Sequence, residues 1–285
     1  MLRKVILCPN PYRDAQLRVA KEAKRVLDEV GCPNVVCLPF RNQEPPEGYG
    51  LNIEPLQQEI RGADMIIAFG GDGTILHLSK TAAHRDIPVL GVNLGSLGFM
   101  ADLLRLRDLC DGKYEIESHM MLDVSVQRDG RVIYSNLALN EALIARGNIS
   151  RVIRLQIFTE QGKLVDVAGD GVIVASPTGS TAYSLSAGGP VVAPTCACLV
   201  ISPLAPHNLT MRPVVIPDSA TITLRVDARR SDAFVTLDSR VYAIGQEAAF
   251  TIKRADQKIF LAVPHNISFY DTLRNKMMWG IDIRS

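Results

Sequence analysis

One short stretch limits the folds open to this chain: Phe69-Gly70-Gly71-Asp72-Gly73-Thr74, in which three glycines surround an aspartate. The apolar run before it, residues 64–69, is typical of a buried strand, and residues 75–82 predict a helix with Thr74 as N-cap. In an open α/β sheet, ligands bind at the carboxyl ends of strands, where N–H groups at a helix start favour phosphate. Asp72 would then be a carboxylate that takes a proton or holds a metal. The alternative is a tight turn that Asp72 only caps.

The first part of the chain alternates apolar strands with amphipathic helices. Strands are predicted at residues 5–9, 35–38, 64–69 and 87–92, and helices at 14–30, 53–62, 75–82 and 103–109. Such alternation predicts a parallel sheet with helices on its faces. We therefore expect an α/β domain over residues 1–111, to which the family resemblance given below assigns nucleotide binding. A second glycine loop, residues 93–99, would lie beside the first if their strands are parallel neighbours.

From about Tyr114 the hydrophobic pattern changes to a period of two, and helices become scarce. Asp129-Gly130 is a hairpin turn signal. Strands are predicted at residues 122–127, 132–134, 142–145, 154–158, 163–167, 220–226, 233–237, 248–253 and 258–263. The fold class is thus an α/β N-terminal domain with a parallel sheet, followed by a β-rich, β-sandwich-like domain over residues 112–266. The tail, residues 267–285, with a helix at 272–278, is expected to pack back on the first domain.

The densest run of small and polar residues lies in the second domain, from Asp170 to Pro190. A predicted strand enters Pro177-Thr-Gly-Ser-Thr181, and a short helix follows, closed by Gly188-Gly189. Hydroxyl and free N–H groups would crowd at this helix start, which suits ribose hydroxyls, phosphate oxygens and base edges. Tyr183 offers a stacking face. A β-sandwich turn needs fewer such residues, so the run favours binding over a structural role.

Other polar residues give weaker signals. Asn140-Glu141 precedes an apolar strand; its amide and carboxylate suit vicinal hydroxyls or a base edge, although the dipeptide is also common in solvated turns. His77, one turn into the key helix, either touches phosphate or lies on the helix surface. One of the nearby arginines could meet phosphate, although most arginines of this kind are surface charges; they are Arg146, Arg151 and Arg154.

Composition excludes several classes of function. The net charge is +1 and there is no basic tail, so we expect no nucleic-acid partner. No apolar run is long enough to cross a membrane, and the N-terminus reads as a strand rather than a signal peptide. The six cysteines form no CxxC pair, which favours a reduced, cytoplasmic protein. The P-loop motif, the GxGxxG fingerprint and the GxSxG elbow are absent from the sequence.

Three separated motifs together resemble the NAD kinase family: Gly70–Thr74, Asn140-Glu141 and the run from Asp170 to Pro190. Further matching segments are Ala205–His207 with Arg212-Pro213, Leu237–Ser239, and the ending from Asp271 to Trp279, so that the resemblance covers nearly the whole chain. The first motif alone is shared with lipid kinases and phosphofructokinases, whereas the run from Pro177 to Pro190 is far more specific. The resemblance implies an enzyme that phosphorylates the adenosine ribose 2′-hydroxyl of NAD, with ATP as donor and a divalent metal, Mg²⁺.

The resemblance also implies residue roles and an assembly. Asp72 would accept the hydroxyl proton. The residues implied to bind substrate are Gly73, His77, Asn140, Glu141, Arg151, Ala168, Asp170, Thr178, Thr181, Ala182, Tyr183, Ser184, Leu185, Ser186 and Ala205; no protein metal ligand is implied. Family members are homodimers or homotetramers with the site near a subunit interface. Three places depart from the common pattern: Arg240 replaces a usual Gln, residue 168 is Ala where some relatives have a longer side chain, and Gly245-Gln246-Glu247 replaces a more usual Gly-Asp turn.

Two other functions stay open at this stage. A lipid kinase of the diacylglycerol or sphingosine type would use the same glycine loop but needs an apolar acyl pocket, and the run from Thr178 to Ser186 argues against it. A catalytically silent dinucleotide sensor would bind NAD without turnover, and an intact Asp72 argues against that. ATP and polyphosphate remain alternative donors, and NAD and NADH alternative acceptors.

Overall fold

The structure of the protein, a computed structural model, describes residues 2–39, 50–94, 106–147, 152–226, 233–245, 248–265 and 268–277. Its contacts divide the chain into two compact units. The first unit comprises Met1–Ser118 with Ile259–Ser285, and the second comprises His119–Lys258. The division into functional domains at residues 111 and 266 stays a prediction. Across the described ranges, no helix is both long and apolar enough to cross a membrane.

The first unit is an α/β layer around a short parallel sheet. Its strands are β1 (Val5–Pro9), β2 (Asn34–Cys37), β3 (Ile53–Glu54), β4 (Met65–Gly70) and β5 (Val89–Asn93). Its helices before residue 118 are α1 (Arg18–Glu29), α2 (Leu56–Glu59), α3 (Asp72–Ala83) and α4, described over residues 106–110. The strand order is β5-β4-β1-β2-β3, all parallel. Every residue of β4 is buried, which places the glycine–aspartate turn at the carboxyl end of an interior strand.

The second unit consists mainly of antiparallel strands. In chain order they are β6 (Tyr114–Arg128), β7 (Arg131–Ala138), β8 (Glu141–Arg146), β9 (Ile153–Thr159), β10 (Gly162–Gly169), β11 (Gly171–Ala175), β12 (Cys198–Leu204), β13 (Val214–Pro217), β14 (Ile222–Val226), β15 (Ala233–Leu237), β16 (Arg240–Gly245) and β17 (Ala249–Pro264). The first few residues of β6 and the last of β17 belong to the first unit, where Leu261 pairs with Val89 of β5. Helix α5 is Tyr183–Ser186 in the second unit, and α6 is Phe269–Met277 in the first.

Six strands of the second unit form one sheet in the order β13-β12-β11-β8-β15-β16. The strands β10, β9, β14 and the first half of β17 follow one another in another antiparallel array, and β6 pairs with β7. One hydrophobic core contains buried side chains from both groups, for example Ile144, Leu155, Val174, Leu224 and Phe250. This arrangement, with the parallel sheet of the first unit, confirms the predicted fold class. The predicted hairpin is also present: Asp129 and Gly130 join β6 to β7 with φ of 50° and 72°.

Three predicted helix boundaries were wrong. Helix α1 begins at Arg18 rather than residue 14 because Gln16 and Leu17 have φ of 55° and 52°, and the Asp14 carboxylate accepts the N–H groups of Val19 and Ala20 instead. The segment predicted as helix at residues 53–62 begins as strand β3, which pairs with β2, and only Leu56–Glu59 is α-helical. Helix α3 begins at Asp72, with Gly71 rather than Thr74 at the N-cap.

Other boundaries differ in smaller ways. The two strands predicted at residues 248–253 and 258–263 are one strand, β17. Strands β12, β13 and β16 were not predicted. The predicted helix at 272–278 is α6, whose described part ends at Met277. Residues 95–99 of the second glycine loop, and 103–105 of the helix predicted at 103–109, lie outside the described residues.

Candidate functional site

The glycine–aspartate turn connects β4 to α3 in the first unit. Thr74 lies inside the first turn of α3 and is buried, and its hydroxyl oxygen accepts a hydrogen bond from the Asn10 side-chain amide at 3.3 Å. A Cβ at Gly70 would lie 2.2 Å from that same hydroxyl oxygen, so only glycine fits there. The backbone N–H of Asn10 also donates to the Phe69 carbonyl oxygen, at 2.9 Å. The ends of β1 and β4 therefore hold the first turn of α3 from both sides.

Asp72 is the first residue of α3, and it and Gly73 are exposed. Asp72 thus lies where the N–H groups at the start of a 12-residue helix favour an anion. Gly73 is helical, and a Cβ placed on it would meet no atom of the described residues within 4 Å. A glycine within a helix destabilises it relative to alanine. Because no contact among the described residues explains Gly73, we expect a ligand to approach its backbone closely.

A variant tests this interpretation of Gly73. We expect Gly73→Ala to keep or slightly raise the midpoint of thermal unfolding, because alanine favours the helix and the space is open. We expect the same variant to raise the KM for ATP by about tenfold or more, because the added methyl group occupies the space of the approaching phosphates. Unfolding curves and steady-state kinetics measure the two effects. An unchanged KM would show that no ligand passes close to Gly73.

His77 lies four residues after Gly73 in α3 and is partly buried. Residues four apart share one face of a helix, so the His77 side chain projects from the same face as Gly73. This placement agrees with the sequence-based suggestion that His77 belongs to the nucleotide site. Its binding role stays a prediction.

The second unit brings Asn140 and Glu141 together with the polar run that follows β11. The Ser176 N–H donates to the Asn140 carbonyl oxygen at 2.9 Å, and the Ser176 hydroxyl donates to the Leu139 carbonyl oxygen at 2.5 Å. Gly179 lies against the same backbone, since a Cβ on it would lie 2.0 Å from the Asn140 carbonyl oxygen. Two motifs about 40 residues apart in sequence are therefore one packed structure.

Glu141 has an unusual environment in this structure. The residue is buried, the Tyr183 N–H donates to its carboxylate, and its Oε2 atom has no hydrogen-bond partner among the described residues. Burial, followed by the nearby charge of Asp238, raises the pKa of Glu141 to about 7. A buried carboxylate oxygen without a partner is costly, and a ligand that donates a hydrogen bond would relieve this cost. The Glu141 carboxylate is therefore suited to accept from a ribose hydroxyl or an amino group.

The run from Thr178 to Ser186 forms a 3-10 turn, Thr178–Thr181, followed by the short helix α5. Some of its hydroxyl groups are engaged inside the protein: Ser184 is buried and bonds to Ser202, and Thr178 bonds to Nδ1 of the buried His119 at 2.9 Å. The exposed members of the run are Thr181, Tyr183 and Ser186, and the partly exposed ones include Ala182 and Leu185. The run thus offers an exposed ridge beside Glu141, while Ser184 stabilises the turn from within.

Asp170, Ala168 and Ala205 form a separate group at the other end of β11. The Asp170 carboxylate forms an ion pair with Arg146 at 3.0 Å, and the His207 N–H donates to the Ala168 carbonyl oxygen. Ala205 has φ of 43°. Five residues of β11, about 16 Å of extended chain, separate this group from the Glu141 end. Predicted site residues that are close in sequence are thus divided between two ends of one sheet. Arg151 lies outside the described residues.

Sequence reasoning missed several residues that shape these groups. Asp238 accepts hydrogen bonds from three consecutive backbone N–H groups beside Glu141, and His119 holds Thr178. Asn10 holds Thr74. Only Asp238 had a signal in the sequence, since it lies in a matching segment without an assigned role, whereas the other two act through contacts that no local pattern reveals.

Two models of a known protein family match this chain. The family model described as the ATP-NAD kinase N-terminal domain matches residues 5–110, and the ATP-NAD kinase C-terminal domain matches residues 139–263. The chain belongs to the ATP-NAD kinase family. The family identified from the sequence motifs is thereby confirmed, and the two matches contain Asp72 and the Glu141 group respectively.

Several curated relatives carry the name NAD kinase. That of Geotalea daltonii is 38% identical over 225 residues, which are 76% of this chain and 79% of the relative. That of Bacteroides fragilis is 34% identical over 290 residues, or 99% of both chains. Among solved structures, a yeast NADH kinase complexed with NADH matches with a TM-score of 0.84 at 21% identity, over 99% of this chain and 89% of that one. An NAD kinase from Archaeoglobus fulgidus in complex with ATP matches with a TM-score of 0.69 at 22% identity, over 90% of this chain and 92% of that one. These two structures show the shared fold.

The resemblance to ATP-NAD kinases implies a divalent metal, and the described residues define how it would fit. Among them, no group of three or more His, Cys, Asp or Glu side chains is arranged to hold a metal ion. Mg²⁺ commonly binds through one or two carboxylates together with substrate phosphates. Asp72 is one exposed carboxylate at a helix start suited to phosphate. This family member therefore fits a Mg²⁺ ion that arrives with ATP as part of the substrate.

Proposed function

We propose that this chain is an NAD kinase that transfers the γ-phosphate of ATP to the 2′-hydroxyl of the adenosine ribose of NAD, giving NADP and ADP. The observation that carries the proposal is the placement of Asp72. In a chain whose two parts both match the ATP-NAD kinase family, this carboxylate is exposed at the start of α3, beyond a fully buried strand. It therefore lies at a defined place in the fold, the start of a helix, and is accessible to a substrate hydroxyl.

The chemistry needs mainly positioning and charge neutralisation. A bond forms between the ribose 2′-oxygen and the γ-phosphorus, while the bond from that phosphorus to the leaving oxygen of ADP breaks. The hydroxyl proton moves to the Asp72 carboxylate and then to solvent. Since aspartate is a weak base for an alcohol, it takes the proton late, as the new bond forms. The sequence has no P-loop lysine to offset the phosphate charge. The N–H groups at the start of α3 and the Mg²⁺ ion of the ATP complex would offset it instead.

NAD recognition is proposed for the second unit. The Asn140 amide and the Glu141 carboxylate would hold a ribose or a base edge, and the ridge of Thr181, Tyr183 and Ser186 would contact the rest of the dinucleotide. The support for this is the Glu141 Oε2 atom beside that ridge, which has no hydrogen-bond partner in the part of the chain that the structure describes. The ridge would be supported by the other residues of the run, and His119 bonds to the first of them, Thr178. These supporting residues are Thr178, Ala182, Ser184 and Leu185.

We also propose a homodimer or homotetramer in the cytoplasm. Asp170, Ala168 and Ala205 lie at the end of β11 opposite Glu141, so a second copy could bring this group to a neighbouring dinucleotide site. All six cysteines are free thiols, which suits a reducing compartment.

The test is formation of NADP from NAD, ATP and Mg²⁺ by the purified chain, with NAD binding measured separately by calorimetry. NADP formation is the expected result. Binding of NAD without turnover with ATP or polyphosphate would instead identify a sensor. Phosphorylation of lipid alcohols in place of NAD would identify a lipid kinase. Parallel assays with NADH in place of NAD, and polyphosphate in place of ATP, define the preferred acceptor and donor.

A further inference from the structure

Asp238 lies in the two-residue turn between β15 and β16 and is bonded to the Asn140–Glu141 segment. Its Oδ2 atom accepts the Leu139 N–H at 3.0 Å, and its Oδ1 atom accepts the N–H groups of Asn140 at 2.8 Å and Glu141 at 3.3 Å. In return, the Asp238 N–H donates to the Glu141 carbonyl oxygen at 3.1 Å. One carboxylate thus fixes three consecutive peptide groups that are almost 100 residues away in sequence.

The same segment is fixed from its other side by neutral groups. The hydroxyl and N–H of Ser176 donate to the carbonyl oxygens of Leu139 and Asn140, and the Gly179 N–H donates to the Ser176 hydroxyl at 3.1 Å. Asp238 therefore holds the N–H groups of the segment, and Ser176 holds its carbonyl groups. With both sides fixed, the side chains of Asn140 and Glu141 project in defined directions.

We propose that Asp238 is a positioning residue for dinucleotide binding, which orients the Asn140 amide and the Glu141 carboxylate through these three hydrogen bonds and makes NAD affinity depend on pH through its negative charge. The proposal rests on the proposed function. Asp238 need not touch the substrate, since it acts through the residues that do.

The charge effect follows from what faces the Glu141 carboxylate. The turn between β15 and β16 contributes the Asp238 carboxylate, which disfavours a second negative charge nearby, and α5 contributes the Tyr183 N–H, which favours it. Burial, followed by the Asp238 charge, raises the pKa of Glu141 to about 7, and the Tyr183 N–H only partly offsets that rise. A ligand hydroxyl donates to the ionised carboxylate, so NAD affinity should fall as the pH falls through about 7. If Asp238 loses its charge, one of the two causes of the raised pKa is gone, and the loss of affinity should move to lower pH.

The experiment measures kcat and the KM for NAD between pH 5.5 and 8.5 for wild type and Asp238→Asn. Asparagine accepts a positive φ, which is 54° at this position, so the turn itself should survive. We expect the variant to raise the KM by about tenfold at pH 8 while kcat changes by less than about threefold, since the lost interactions orient bound NAD. We also expect the inflection of the KM profile to move to lower pH. An unchanged KM together with an unchanged inflection would overturn the proposal.

Matched variants separate charge from structure. Ser176→Ala removes a neutral contact on the other side, so it should raise the KM without moving the inflection. Asp129→Asn removes a carboxylate from another two-residue turn with a positive φ, and it should change neither the KM for NAD nor the pH of the inflection. If Asp238→Asn does not fold, Asp238→Glu keeps the charge but displaces it, and a wild-type KM for that variant would contradict the positioning role. If the wild-type protein forms NADP but the variants lack these effects, this inference alone is rejected. If the wild-type protein forms no NADP, the proposed function is rejected.

Discussion

Replacement of Asp72 by asparagine is expected to lower kcat for NADP formation by roughly 10²–10⁴-fold, the range associated with loss of a general base. Asparagine is nearly the same size and can still accept a hydrogen bond, but in the proposed reaction it could neither take the ribose proton nor carry the negative charge that would interact with Mg²⁺. Because Asp72 is exposed, and the Thr74 side chain packs on Gly70 and accepts a hydrogen bond from the Asn10 amide, the fold should persist. Steady-state kinetics with both substrates, together with calorimetric NAD binding, measure the effect.

A control distinguishes the chemistry of Asp72 from a general effect of a helix-start carboxylate. Asp271 also lies in the first turn of a helix, α6, so Asp271→Asn loses a comparable interaction with the helix dipole. We expect Asp271→Asn to keep kcat within about threefold, whereas Asp72→Asn keeps NAD binding and loses turnover. A kcat of Asp72→Asn within tenfold of wild type would show that another group accepts the proton.

Hydrophobic periodicity was sufficient to predict the layers of this fold. Buried strands such as β4 have continuous apolar runs, and the period changes near Tyr114, where the antiparallel part begins. Local conformations that periodicity does not report were missed. Gln16 and Leu17 adopt a left-handed conformation although neither is glycine, and Ile53 pairs with Val36 although its sequence looks helical. In both segments tertiary contacts outweigh local propensity.

The candidate site shows a different limit. Asp72 and Glu141 could be singled out from the sequence because each lies in a short motif with unusual chemistry for its position. The role of Asp238 could not, because its hydrogen bonds connect residues 97 to 99 positions apart and exist only once β8 and β15 are paired. Long-range pairing, not residue type, decides the role of Asp238.

Gly179→Ala is expected to be the most damaging single substitution in the second part of the site. A Cβ at this position would lie 2.0, 2.4 and 2.7 Å from the carbonyl oxygen, carbonyl carbon and Cα of Asn140. These atoms belong to the backbone, so no side-chain rotation relieves the clash, and either the 3-10 turn or the Asn140 segment must move. Overpacking of this kind lowers the free energy of unfolding by about 1–3 kcal/mol. A shift of Asn140 and Glu141 by about 1 Å can raise the KM for NAD by up to about 100-fold.

The measurements are the midpoint of thermal unfolding and the KM for NAD, with Gly73→Ala as the matched glycine substitution. Since a Cβ at Gly73 has no neighbour within 4 Å, that variant should not lower the unfolding midpoint, whereas Gly179→Ala should. The two variants should also affect different substrates. Gly73→Ala should raise the KM for ATP, because Gly73 lies at the proposed phosphate site, and Gly179→Ala should raise the KM for NAD, because Gly179 supports the proposed NAD site. A Gly179→Ala protein with wild-type stability and a wild-type KM for NAD would show that Asn140 is not held by this contact. A larger increase in the KM for NAD in Gly73→Ala than in Gly179→Ala would place the NAD contacts at α3 instead.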